Sequence, residues 1–227
     1  MLSLFVLRQS RINSPVMDLG LFRNRCFSFS NLAILIYTTS TLAVVFLFSF
    51  YLQYIKGFDT GSAGLILLAS TLTMAALVIY AGRLSDRINL YHLALMGVII
   101  SLAGLLPMTF ISPNTPLPLA IMEMVLISAG GAFFYPPLVK IILGSIPRDS
   151  YGVGSSLAET MRLIGNSSSL ALVTIGFNLY LGRKDITPDN YAEFLQSMNL
   201  ILAAFSILCV ASLILILLAE RTRLKDR

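Results

Sequence analysis

Charge is scarce in this chain: only 12% of its 227 residues are Asp, Glu, Lys or Arg, about half the share usual for a soluble domain. A water-facing surface of ordinary extent cannot be assembled from so few. There is one histidine, His92, and there are two cysteines, Cys26 and Cys209, with no Cys-x-x-Cys and no His-Glu-x-x-His. A zinc or dithiol site therefore has no ligand set, and both cysteines read as buried apolar packing. No Ser or Cys stands with a His at helical spacing, so an intramembrane enzyme has no nucleophile pair to offer. The chain is read as neither an enzyme nor a holder of metal or cofactor.

What is present is apolar length. Hydrophobic residues make up 56% of the chain and the mean hydropathy is +0.83. Six runs fill it: Phe27–Ile55, Gly61–Gly82, Leu90–Ile111, Leu117–Gly144, Gly154–Gly182 and Leu195–Ala219. A hydrocarbon core of about 30 Å needs about 20 helical residues, and each run suffices. The runs are too long for barrel strands and lack their alternation, so only helices satisfy the backbone inside lipid. The sequence predicts an all-α membrane protein, a six-transmembrane-helix bundle spanning 27–219. A lead-in over 1–26 precedes it and a basic tail over 220–227 follows. Met1–Leu7 is apolar, too short to span and without a cleavage signal, and reads as the tail of a preceding helix.

The basic residues, net charge +5, sit at the ends of the runs, which points to membrane topology and away from nucleic acid. One side collects Arg8, Arg11, Arg23, Arg25, Arg83, Arg87, Arg148, Arg221, Arg223, Lys225 and Arg227; the other has Lys56, Arg183 and Lys184. The positive-inside rule predicts six crossings of the cell membrane with both termini in the cytoplasm. The longest outer connection, Arg183–Phe194, reads as a solvated cap.

Two spans carry further signals. In the fourth, Pro136 and Pro137 deprive the carbonyls of Ala132 and Phe133 of their donors, which predicts a kink, and Gly130 and Gly131 admit a close neighbour. In the fifth, Gly154, Ala158, Gly165, Ser169 and Gly176 recur at spacings of four and seven. They form one small-residue seam, facing either another helix or a cavity. Glu123, Lys140, Glu159 and Arg162 fall within spans, where charge costs about 2.5–3.5 kcal/mol each on insertion scales. Glu159 and Arg162 are three apart and can pair, as a gating or coupling pair or as a static ion pair. Glu123 reads as a solvated outer-edge carboxylate, Lys140 as snorkelling to the headgroups, and His92 as interfacial. Tyr51 and Tyr54 fit an outer aromatic belt. The 14 Phe, 9 Tyr and 9 Met suit either a lipophilic pocket or a lipid-facing surface.

The connection Gly82-Arg83-Leu84-Ser85-Asp86-Arg87 is the sharpest local signal: a glycine to turn the helix end, then a carboxylate between two arginines. Here the chain resembles the major facilitator superfamily, whose corresponding loop reads G-x-L-x-D-R-x-G. Gly82, Leu84, Asp86 and Arg87 match, and Asn89 replaces the last glycine, a departure that weakens the latch. The segments MDLGLFRNRCFSFSNL, LQYIKGFDTGSAGLILL, GGAFFYPPL and GSSLAETMRLIGNSSSLAL are similar to the C-terminal half of the fourteen-helix multidrug:proton antiporters of the EmrB and QacA type. Ala69 stands where proline is common, and Asn166-Ser167 where a glycine-rich pair is.

That resemblance implies half of a major facilitator fold, with three-plus-three inverted repeats. It further implies transport of hydrophobic or cationic small molecules driven by a proton gradient, with Gly82, Arg83, Asp86 and Arg87 as a cytoplasmic gating loop. The family's N-terminal bundle and its G-x-x-x-G-P-x-x-G-G motif have no counterpart here. The expected partners are thus the bilayer and an N-terminal transporter half or a second protomer, this chain being a split or truncated product. The alternative is a non-transporting membrane scaffold or partner-binding subunit derived from the same bundle.

Overall fold

A computed structural model of the chain describes residues 19–180, 182, 186, 187 and 190–225. Met1–Leu7, Arg8, Arg11, Arg183, Lys184 and Arg227 lie outside the described residues. Six long helices follow one another: α1 (Arg25–Phe50, prolonged by a π-turn over Tyr51–Ile55), α2 (Thr60–Leu84), α3 (Leu90–Met108), α4 (Leu117–Gly144), α5 (Tyr151–Tyr180) and α6 (Tyr191–Lys225). No strand occurs among the described residues. By length and composition five of them can cross a membrane; α5 has the length, at 30 residues, but is more polar. Helix ends differ from the predicted runs by up to about a turn at several places, and most at the end of α6, which continues through 220–225, so the basic tail begins as helix.

Helix starts are set by short polar side chains that satisfy the first free N–H groups. The Asn24 Oδ1 accepts from the N–H of Cys26 at 3.0 Å and of Phe27 at 3.3 Å. Asp59 accepts from Gly61 and Ser62 at 2.9 and 3.1 Å, and Asn89 from Tyr91 at 3.0 Å. Within α1 the run Thr38-Thr39-Ser40-Thr41 would be costly in an apolar core, yet each hydroxyl donates to a carbonyl one turn back. Gly57, at φ 72°, ends the π-turn in the left-handed region open to glycine. Tyr51 and Lys56 then tie this end of α1 across the bundle. The tyrosine hydroxyl donates to Ser112 O at 2.8 Å, and the lysine amine to Pro113 O and Thr115 O at 2.8 and 2.7 Å. Tyr51 is therefore fully buried, a correction to its place in an aromatic belt; Tyr54 stays exposed.

Packing has an internal symmetry. The main contacts are α3 with α4, α1 with α6, α1 with α5, α2 with α4 and α3 with α6. Exchanging α1 with α4, α2 with α5 and α3 with α6 maps this set onto itself, as inverted three-helix repeats require. The symmetry is not legible in the short echo of Tyr80–Arg83 with Tyr180–Arg183: Gly82 is helical, whereas Gly182 has φ 64°.

The α3–α4 contact is made backbone to backbone. A Cβ on Gly97 would meet Gly130 O and Phe134 N, both at 2.7 Å; one on Gly104 would strike Glu123 O; one on Gly130 would strike the Ser101 side chain and Gly97 O. Into this contact Tyr37 of α1 donates to Ser101 Oγ at 2.6 Å, and Ser101 donates to Ile127 O at 3.2 Å. The Tyr37 ring stacks on Phe134 with centroids 3.9 Å apart. One hydrogen-bonded chain thereby joins α1, α3 and α4. The α4 helix passes through Pro136 and Pro137 without a break. On α5 the seam residues Gly154, Ala158, Gly165, Ser169 and Gly176 are all buried. Gly165 lies against Thr38 and Leu35 of α1 and Gly176 against Ile201 of α6, while Ser169 Oγ accepts from Ala43 N at 3.0 Å.

Two outcomes follow from this packing. Gly130→Val should lower unfolding stability in detergent by about 2–3 kcal/mol, because backbone cannot yield to the added carbons. Gly131→Ala, whose new carbon would find its nearest neighbour, Tyr37 Oη, at 3.5 Å, should change it by less than about 0.5 kcal/mol; thermal unfolding followed by circular dichroism separates the two. At the α2 start, bonds from the Ser62 hydroxyl and N–H and the Gly61 N–H hold the Asp59 carboxyl below its ordinary value. The cap is at full strength above the ordinary carboxylate range and is lost as pH falls through the lowered value. Asp59→Asn should flatten that acid dependence in pH-resolved melting.

Candidate functional site

Two clusters of polar side chains stand out, one at the end of the bundle that carries most of the Lys and Arg, one on an open flank. At the basic end the predicted loop is rearranged relative to expectation. Gly82 and Arg83 belong to the last turns of α2, and Gly82 makes no turn; the reversal runs over 85–89. Asp86 is paired with neither flanking arginine. Its partner is Lys140 of α4, at 2.6 Å. The same amine donates to Ser85 Oγ at 2.6 Å and Gly82 O at 3.3 Å, so all three of its protons are placed. Snorkelling of Lys140 to the headgroups is thus corrected: it clamps the α2–α3 turn onto α4. Arg83 and Arg87 are exposed, with no carboxylate within ion-pair distance among the described residues.

The open flank is formed by α1, α2, α4 and α5, around a cavity of about 260 Å³. Tyr37 and Thr41 reach it from α1, Met74 from α2, Tyr135 from α4, and Arg162 and Asn166 from α5. Tyr135 and Phe134 pack edge to face at 5.3 Å, and Tyr37 meets Tyr135 edge-on at 5.8 Å. Such a wall offers aromatic and thioether surface to a flat or lipophilic guest. Glu159 and Arg162 form a two-pronged ion pair, one arm being Nε to Oε2 at 2.9 Å. The pair is half-exposed and lies along α5 itself, so it joins no two helices. Beside it Ser155, Ser156, Thr160, Ser167, Thr174 and Asn178 are exposed too. Each of these side chains donates to a carbonyl of its own helix, so it is the ion pair among them for which hydrocarbon is no solvent.

Glu123 departs from expectation. It is 3% exposed, and Oε2 is enclosed with no hydrogen-bond partner, whereas a solvated outer-edge carboxylate was expected. Its backbone carbonyl abuts Gly104 in the α3–α4 contact, which explains how a carboxyl was drawn inside. His92 is exposed at the first turn of α3, an interfacial position. Sequence reasoning missed Lys140 as a clamp, Tyr37 and Ser101 as a bridge, and Gly97 and Gly104 as contact residues. The last two were detectable as small residues seven apart, with Ser101 between them, on one face of α3.

A symmetric six-helix bundle with one open polar flank is the architecture of one half of a multi-pass membrane transporter. Residues 6–170 match the model of the Major Facilitator Superfamily, and the chain belongs to that superfamily. It is 32% identical over 178 residues to the uncharacterised transporter YebQ of Escherichia coli K12, an alignment covering 78% of this chain and 38% of that protein. It is 28% identical to the riboflavin transporter RibZ of Clostridioides difficile 630, covering 79% and 39%. To the multidrug transporter protein MdtP of Bacillus subtilis 168 it is 23% identical, covering 86% and 36%. The chain spans about two fifths of the length of these curated relatives. It is a multi-pass membrane protein of a transport family.

The clamp makes a measurable claim. With side chains 39% and 71% exposed, Lys140 and Asp86 should show a coupling of about 1 kcal/mol in a double-mutant cycle of Lys140→Met and Asp86→Asn on unfolding stability. The corresponding cycle of Arg87→Met with Asp86→Asn should show none. Glu123→Gln should unfold at the same or a higher temperature than the parent, since an enclosed ionisable group without a partner adds no stability; a marked loss would reveal a partner for the carboxylate.

Proposed function

We propose that this chain forms the C-terminal wall of a proton-coupled efflux transporter for hydrophobic or cationic small molecules, of the fourteen-helix EmrB and QacA type. An N-terminal bundle closes over its open flank. The observation that carries this reading is the half-exposed Glu159–Arg162 pair of α5. A helix of transmembrane length that presents two ionised groups outward must set them against protein or water. A facing bundle with a wet cavity between supplies both. The cavity of Tyr37, Met74, Tyr135 and Arg162 then becomes one side of the binding site. Its aromatic and thioether lining favours lipophilic guests, with the charge of the Arg162 guanidinium in its wall balanced by Glu159. Relatives named as a multidrug transporter and as a tetracenomycin C resistance and export protein support the substrate class.

In this scheme Glu159 and Arg162 are the coupling pair. Protonation of Glu159 frees the Arg162 guanidinium, and rebinding of the two resets it, a charge change of the kind that biases a rocking bundle. The Lys140–Asp86 clamp belongs to the gating loop and holds one arrangement of the α2–α3 turn. In this reading the loop and both termini face the cytoplasm and the bundle crosses the plasma membrane, supported by the excess of Lys and Arg at that end.

The test is efflux of a lipophilic cation from proteoliposomes that hold this chain together with an N-terminal half, under an imposed pH gradient. Arg162→Gln should lower the rate about tenfold, the scale of a lost charge-assisted bond. Glu159→Gln should make the remaining rate independent of the gradient. Efflux that ignores the gradient in the parent, or a Glu159→Gln protein with full pH dependence, would rule this reading out.

A further inference from the structure

A second cavity, of about 410 Å³, opens at the basic end of the bundle, away from the α5 flank, among the ends of α1, α3, α4 and α6. Its wall includes Asn24, Cys26, Tyr91, Lys140, Ser145 and Arg223, and no carboxylate lines it. The described residues form only two ion pairs, Lys140–Asp86 and Arg162–Glu159. Among the described residues the Arg223 guanidinium accordingly has no anionic partner, and it is exposed. It is held in place over the Tyr91 ring, 5.7 Å from the centroid, and with one donor turned to the Tyr91 hydroxyl the planar group is oriented while its other donors stay open. Tyr91 is in turn fixed by its hydroxyl, 3.1 Å from Cys26 Sγ. Asn24 Nδ2 donates to Ser145 O at 2.7 Å, which ties the α1 start to the α4 end and occupies a carbonyl that would otherwise repel an anion. The first turns of α1 and α3 and the last turns of α4 and α6 all border the space, so their dipoles offset one another, and the Lys140 amine is already neutralised by Asp86; the uncompensated charge of the cavity is the guanidinium.

We propose that this cavity binds a phosphate-bearing anion, with Arg223 as its principal ligand. The chemistry is that of a phosphate monoester or diester meeting a guanidinium that is already oriented and unneutralised. Two sources present it at this depth: the headgroup of an acidic phospholipid from the adjoining leaflet, which basic pockets between membrane helices accept, or a soluble phosphate ester. The site is separate from the α5 flank, and occupancy requires neither transport nor an N-terminal half.

The experiment is a thermal-unfolding titration of the full chain in zwitterionic detergent with short-chain phosphatidylglycerol, short-chain phosphatidylcholine or glycerol 3-phosphate. Phosphatidylglycerol, glycerol 3-phosphate or both should protect; phosphatidylcholine should not. Protection by the lipid alone assigns the source to the membrane, and protection by glycerol 3-phosphate assigns it to the soluble ester. Arg223→Gln should raise the half-saturating concentration about tenfold, the weight of one charge-assisted contact. Arg221→Gln removes the same charge from the same helix end outside the cavity and should raise it less than about threefold. Both side chains are exposed, so the variants should keep the parent's circular dichroism. Equal effects of the two substitutions, equal protection by phosphatidylcholine, or no protection by either anion would overturn the proposal.

Discussion

The close approach of α3 and α4 over Gly97, Gly104 and Gly130 is the constraint on which the other arrangements depend. In lipid there is no hydrophobic gain from bringing two apolar helices together, so association rests on packing and hydrogen bonds at short range. Removing three Cβ atoms from one interface lets backbone meet backbone. It also brings Ser101 close enough to donate to Ile127 O and accept from Tyr37, and that chain seats α1 against the pair. The inverted repeat reproduces the device: α1 and α6 pack in the related place, and the α5 seam meets α1 as α2 meets α4. A bundle built this way is rigid at its centre, leaving α2 and α5 as the least enclosed helices, on either side of the open flank.

Charge is spent sparingly and in three distinct ways. Lys140 uses all its donors on the α2–α3 turn, so a cation in a span becomes a strut between elements. Glu159 and Arg162 satisfy one another on one helix and stay half-exposed, a self-contained unit whose charge is neutral only while both are ionised. Arg223 is held over a tyrosine ring with its donors unclaimed by any carboxylate among the described residues. The same residue class thus stands in three different surroundings, and the neighbours set what each charge meets.

Legibility from sequence tracked the range of the interaction. The six helices were legible because each is a local run long enough to cross hydrocarbon, and the α5 seam because its spacing is a property of one helix. The partner of Asp86 was not legible. Arg83 and Arg87 are adjacent in the chain, yet the helix end carries them outward while Lys140, 54 residues away, is delivered by packing. Tyr51 and Glu123 were misplaced for the same reason: each sits near a span end, where residue type suggests the interface. The π-turn and the Gly104 contact draw them inside.

By itself the sequence determined the class of molecule, because a chain with this much apolar length and this little charge has only the bilayer as its solvent, and helices alone satisfy its backbone there. It also determined the basic asymmetry of the two ends. Tertiary structure alone decided which cation meets which anion, which face of α5 is left unpaired and where the two cavities lie. Those depend on how helices turn against one another, and glycine contacts far apart in the chain set that rotation.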